Sequence, residues 1–159
     1  RPEVFEDCPT WGPTDVTADE MRRHAIESMR DATGEEPRSA PGHGSNSCFQ
    51  IGRSGPIVHL FTNKPASKSG NHRVYWFGNS RAVWAQPDSA LFLQCGLDFP
   101  VVVKIADWVE YLPRMGESNG GLRINQHVHW ENQNQFQLRE RFGFRLNVEP
   151  WVCNFDALR

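Results

Sequence analysis

No stretch of this 159-residue chain approaches the roughly 18–20 consecutive apolar residues that cross a bilayer as a helix, and none of its four cysteines stands in a C-x-x-C pair. The first absence argues against a helical membrane span. The second argues against a four-cysteine zinc site, which usually shows at least one close pair. Cysteines 8, 48, 95 and 153 are widely scattered, and Cys95, within LFLQC, reads as a small buried thiol. Two disulfides are the alternative, and a reduced cytoplasmic protein is the expectation. The opening RPEVFEDCPTW lacks the apolar core of an export signal, and a start at Arg1 suggests a module of a longer protein. No internal repeat is visible.

Acidic residues are missing altogether from 37–87, a segment that carries Arg38, Arg53, Lys64, Lys68, Arg73 and Arg81. Residues 1–36 hold ten acids against four Arg, and 88–159 hold nine acids against seven bases, so a net charge of −2 conceals a basic middle. Such segregation can raise a local positive field on an acidic protein, unless the acidic N-terminal segment lies over the basic one. Lysine is scarce as well: three of the seventeen bases are Lys and fourteen are Arg, the side chain suited to bidentate phosphate or carboxylate contacts.

What is present is the composition of one globular domain, with 38% apolar residues, six Trp and ten Phe. Residues 1–16 read as an extended acidic arm. Thr17 with Glu20 forms a capping box and Gly34 a stop, predicting a helix over about 18–32 with Met21, Ala25, Ile26 and Met29 on its core face. Residues 33–47 read as a flexible loop of turn formers. CFQI, GRSG and PIVHLFT then predict a hairpin, HRVYWFG an aromatic strand, and 80–86 a helical turn. ALFLQCG and FPVVVKI predict two strands of a sheet centre, and ADWVEYL a short helix ending at Pro113 with Val109 and Leu112 inward. RINQHVHWE and FQLRERF predict a second hairpin, followed by a tail that docks on the core. The expected fold is therefore a single α+β domain over 1–159, a mostly antiparallel sheet of about six to seven strands with two main helices on one face.

Alternation along RINQHVHWE places Arg123, Asn125, His127, His129 and Glu131 on one face, with Ile124, Val128 and Trp130 on the other. His-x-His on a strand can offer two imidazoles to one divalent metal, which makes His127 and His129 the candidate ligands. Glu131 lies about 13 Å from His127 along an extended strand, too far to share an ion with it. His59 or Glu140 could supply a third ligand. The partner strand adds Gln133, Gln135, Gln137, Arg139 and Arg141. A face of Arg, Asn, Gln and His has the donors and acceptors that meet phosphates and base edges, and aromatic rings at its margin could stack on bases. It also matches a solvated face that binds nothing. Tyr75 and Phe77 share one side of their strand and are expected in the core.

The loop Asn63–Asn71, leading into His72 and Arg73, brings two Lys, two Ser and a Gly close together, parts suited to holding phosphate. The G-x-x-x-x-G-K-[ST] spacing of a nucleotide loop, the G-x-S-x-G elbow and a helical His-E-x-x-His are all absent. Cys48 lies near His43, Ser45 and Ser47 in the chain, which alone does not make a thiol–imidazole pair. The general layout resembles restriction-type nuclease cores, whose Asp and Asp/Glu-x-Lys hold a divalent ion. Here the residues two before each Lys are Thr62, Ala66 and Val102, so the motif is missing and no residue is carried over from that resemblance.

These patterns predict a non-catalytic nucleic-acid-binding module, DNA being the expected ligand. Lys64, Lys68 and Arg73 would hold phosphates, and Arg123, Asn125, His127 and Gln135 would present polar edges. One alternative is a metal-dependent hydrolase or nuclease using the His-x-His strand, with Glu131 or Glu140 as further ligand or base. Another is a protein-interaction or assembly domain whose acidic arm docks on a basic partner.

Overall fold

The computed structural model describes residues 11–132 and 134–159, and for Ser67, Lys68 and Ser69 the backbone. Thr17 opens the first helix as expected: its hydroxyl accepts the Glu20 N–H at 3.1 Å and lies 3.2 Å from the Glu20 carboxylate. Helix α1 runs Ala18–Thr33 and stops at Gly34, whose φ of 72° is left-handed. Its Met21, Ala25 and Met29 recur every four residues, so one stripe is buried.

The strands are β1 (Pro37–Ser39), β2 (Cys48–Ile51), β3 (Ile57–Asn63), β4 (Ser67–Ser69), β5 (His72–Ser80), β6 (Ala90–Cys95) and β7 (Phe99–Lys104), then, after helix α2 (Ile105–Trp108), β8 (Gly116–Ser118), β9 (Arg123–Glu131), β10 (Gln135–Arg139) and β11 (Arg145–Asn147). They form two sheets. The first has the order β1-β2-β3-β6-β7; the second has the order β11-β10-β9-β5-β4, with β8 also paired to β9. The chain leaves the first sheet after β3, builds β4 and β5 of the second, and returns as β6 beside β3. That return makes β3 and β6 parallel, Val58 opposite Ala90 through Asn63 opposite Cys95.

The expected fold class therefore holds as a mixed, mostly sheet architecture, and its details need correction. One sheet of six or seven strands becomes two sheets with more strands, and they are not purely antiparallel. The reason lies in β6, buried at all six positions. Ala90 and Phe92 join Ala25 and Met29 of α1 in one core, while Leu91 and Leu93 join Tyr75, Phe77, Val128 and Trp130 of the second sheet in another. A strand apolar on both faces needs a layer on each side. The helices consequently do not share a face: α1 covers the outer side of the first sheet, and Ile105 and Trp108 of α2 belong to the core between the sheets. Val109, expected inward, is exposed, because the helix tightens to 3-10 geometry over Val109–Arg114. The loop expected at 33–47 contains β1, paired with β2 from Pro37 opposite Ile51 to Ser39 opposite Phe49. The extended arm lies largely outside the described residues; of its described part, Val16 is buried and Trp11 packs against the inter-sheet core.

A buried ionic cluster joins the two sheets and the N-terminal segment. Asp98, in the β6–β7 turn, accepts from Arg73 at 2.8 Å, from the Tyr75 hydroxyl, and from the Gly12 N–H at 2.6 Å. Arg73 also donates to the Gly12 carbonyl at 2.7 Å and stacks on the Trp11 ring. The Asp98 side chain is 0% and that of Arg73 7% exposed. Removing one partner strands a desolvated charge. Asp98→Ala or Arg73→Ala should therefore lower the unfolding free energy by about 3–5 kcal/mol, read from urea denaturation; a loss below about 1 kcal/mol, typical of exposed pairs, would show that water reaches the pair.

Candidate functional site: the open face of the second sheet

Strands β5 and β9 pair along their full length, His72 opposite Glu131 through Ser80 opposite Arg123. Alternation turns Tyr75, Phe77, Ile124, Val128 and Trp130 into the inter-sheet core. His72, Val74, Trp76, Gly78 and Ser80 therefore face the other way, beside Arg123, Asn125, His127, His129 and Glu131. Strand β10 extends the same face, with Gln135 opposite Glu131 and Gln137 opposite His129.

Trp76 stands near the centre of this face with 55% of its surface exposed. Opposite it in the register is His127, whose ring centroid is 5.4 Å from the indole in edge-on contact. Gly78, two residues on, leaves a notch: a Cβ there would stand 2.9 Å from Arg123 Nη2, so a larger residue would push the guanidinium aside. Gly78 also faces Asn125 across the ladder.

His127 is held from below. Its N–H donates to Glu140 Oε1 at 2.5 Å and its Nδ1–H to Oε2 at 2.9 Å. The Glu140 side chain is 1% exposed, so its charge is met by these bonds rather than by water. This arrangement leaves His127 Nε2 as the ring atom available to a ligand.

At the β4 end of the face, His72 Nε2 and His129 Nδ1 are 2.9 Å apart, and Glu131 Oε1 is 3.6 Å from His72 Nε2. Possible ligand atoms of His72, His129 and Glu131 all lie within 4.8 Å of one another. Arg139 pairs with Glu131 and donates to Gln137 Oε1 at 3.1 Å. Burial, then the neighbouring Arg139, pushes the His129 pKa down to about 4, with Glu131 opposing.

The sequence-predicted residues thus divide. Arg123, Asn125, His127 and Gln135 do share one face, spread over about 27 Å of strand. Arg73 does not join them: it points into the core and is spent on Asp98, a correction to its expected phosphate role. Lys64 is exposed in the loop after β3, and Lys68 pairs with Arg73 in the β4–β5 register. The two histidines of the expected metal pair have different partners. His129 groups with His72 and Glu131, whereas His127 is bound to Glu140, the residue considered as its co-ligand. His59, the other candidate, is buried in the first sheet. Among the described residues, Cys48 and Cys95 are buried free thiols.

Sequence reasoning missed His72, which faces His129 only through strand pairing, and the outward Trp76. The signal for Trp76 was available: if Tyr75 and Phe77 point inward, the residue between them points out. No helix among the described residues is long and apolar enough to cross a membrane. Comparison with known protein families, curated proteins and solved structures found no match.

The depressed His129 pKa makes stability depend on pH. The unfolded chain takes up this proton near pH 6.5, whereas the folded state resists until about 4. This contribution to stability is full above pH 6.5, is lost as pH falls from 6.5 toward 4, and levels off below that. Thermal midpoints measured across this range should fall with acidification, and His129→Asn should flatten part of the slope.

Proposed function

We propose that this protein binds nucleic acid on the open face of the second sheet, a face that serves for binding without catalysis. The observation that carries this reading is Trp76, a large ring left exposed at the middle of a mostly polar sheet face. An exposed indole has the geometry to stack on a base, and stacking tolerates any sequence. Around it, His127 Nε2, Asn125, Gln135 and Gln137 offer donors and acceptors for base edges. Arg123 beside the Gly78 notch can meet a phosphate, and Arg145 on β11 extends the cationic margin. A face about 27 Å long suits the short end of the roughly 4–16 nucleotide sites of single-strand-binding sheets. DNA is the expected ligand, and an unpaired strand suits the site better than a duplex, because a stacked base must be unpaired to reach Trp76.

The cationic component is smaller than the charge pattern suggested. Arg73 is buried and Arg139 is tied to Glu131, leaving Arg123 and Arg145 on this surface, with Lys64 exposed in the loop after β3. With two or three phosphates neutralised, log Kd against log salt should have a slope of about 1.4–2.1. Labelled single-stranded and duplex oligonucleotides titrated across a salt series measure this. Trp76→Ala should weaken single-strand binding by about 5- to 150-fold with little change in slope, and Arg123→Ala should lower the slope by about 0.7. An absence of binding at low salt would remove the reading.

A second reading rests on His72, His129 and Glu131, whose ligand atoms lie close enough to meet at one divalent ion. Two imidazoles and one carboxylate form a ligand set used by hydrolytic zinc, and His127 with Glu140 could move a proton alongside. Zinc titrated by calorimetry should bind the native chain, fail to bind His129→Ala or His72→Ala, and still bind His127→Ala. Equal binding by all four proteins, or by none, would discard the metal site.

A further inference from the structure

On the far side of the Gly78 notch a separate group of side chains lies behind a cleft of about 300 Å³. Ser45, in the β1–β2 loop, lines this cleft with Leu60, Phe61, Gly78, Ser80 and Arg123. Its hydroxyl oxygen is 2.8 Å from Nδ1 of His59, an imidazole on β3 with no exposed surface. The opposite ring nitrogen, Nε2, is 3.0 Å from Gln86 Oε1.

The hydrogen-bond pattern fixes the tautomer. Gln86 Nε2 donates to the carbonyls of His43 at 2.6 Å and Ala82 at 3.2 Å, so its amide oxygen must be the atom facing His59. Ser89 Oγ adds a donor to that oxygen at 3.3 Å. His59 therefore carries its proton on Nε2 and leaves Nδ1 as an acceptor, toward which Ser45 directs its O–H. Burial, the largest influence, holds the His59 pKa below its usual value, so the ring stays neutral and able to accept a proton. Gly44, at φ 92°, permits the loop to approach: a Cβ there would press on Gln86 Nε2 at 3.3 Å. Arg22 of α1 anchors the same loop through the Ser47 hydroxyl.

We propose that Ser45, His59 and Gln86 form a nucleophile, a general base and a positioning residue for acyl transfer, acting on esters that carry a carboxylate or phosphate for Arg123 to bind. Ser45 Oγ forms a bond to the acyl carbon while its proton passes to His59 Nδ1. The acyl–oxygen bond breaks, and the departing alkoxide takes that proton as an alcohol. Water then attacks the acyl-serine by the same route, releasing the acid and restoring the hydroxyl. Gln86 stabilises the tautomer without a charge, in the place that a carboxylate takes in other triads. Cys48 Sγ is 3.5 Å from the same Nδ1. It is buried, and burial raises its pKa, which keeps the thiol protonated and unreactive.

The test uses the whole chain, a fluorophosphonate probe, and a pair of nitrophenyl esters with a neutral and an anionic acyl group. Mass spectrometry should find one phosphonate on Ser45. Ser45→Ala should abolish labelling and Cys48→Ala should retain it. The anionic ester should turn over faster than the neutral one, a preference lost in Arg123→Ala. Gln86→Glu supplies a readout that a purely structural role would not move. Gln86, Ser45, Cys48 and His43 are the polar or titratable groups around His59, and a carboxylate at 86 favours the imidazolium. The pH at which labelling reaches half its maximum should therefore rise in that variant. An unlabelled Ser45 in the folded native chain, labelling that survives Ser45→Ala, or an unchanged pH midpoint in Gln86→Glu would overturn the proposal.

Discussion

The buried carboxylate of Asp98 is the constraint on which the rest of the second sheet depends. It sits in the tight turn between β6 and β7, and its partners come from the N-terminal segment and from β5. A desolvated charge is tolerated only when its partners are all in place, so Arg73 and Tyr75 must both point inward. Strand periodicity then leaves His72, Val74, Trp76 and Gly78 no choice but to face outward. A slip of one residue would bury Trp76 and expose Tyr75, losing the ionic cluster and the aromatic core together. The tryptophan is on the surface because an aspartate in the other sheet fixes the phase of its strand.

Two imidazoles illustrate how neighbouring elements can assign one side chain different chemistry. His127 lies on an open face and is held by a buried carboxylate, with one ring nitrogen turned outward. His59 is enclosed and held by a neutral amide, so its accepting nitrogen faces a hydroxyl rather than water. The first suits contact with an external ligand, the second proton transfer within a cleft. Arg123 and Gly78 belong to both regions, since the notch that seats the guanidinium on the sheet face is also a wall of the cleft.

Local signals were legible wherever they act over a few residues. The capping box at Thr17, the stop at Gly34, the hairpin from β2 to β3 and the alternation in β9 all depend on neighbours within one turn or strand. The polar face of Arg123, Asn125, His127 and Gln135 follows from the same period of two. The basic middle segment misled for a related reason: charge along the chain says nothing about depth, and Arg73 sits among acid-free neighbours yet meets an aspartate 25 positions away.

The sequence by itself determined the main helix, the longer strands and which side chains share a strand face, because torsional preference and periodicity are properties of adjacent residues; the short strands β1 and β4, in segments read as loops, it did not. Tertiary structure alone decided how the strands divide into two sheets, that β3 and β6 run parallel, and that His72 meets His129 and Ser45 meets His59 and Gln86. Those pairings arise when distant strands dock to bury apolar surface on both sides of β6. No local pattern encodes them, since the free energy that selects them belongs to the assembled core.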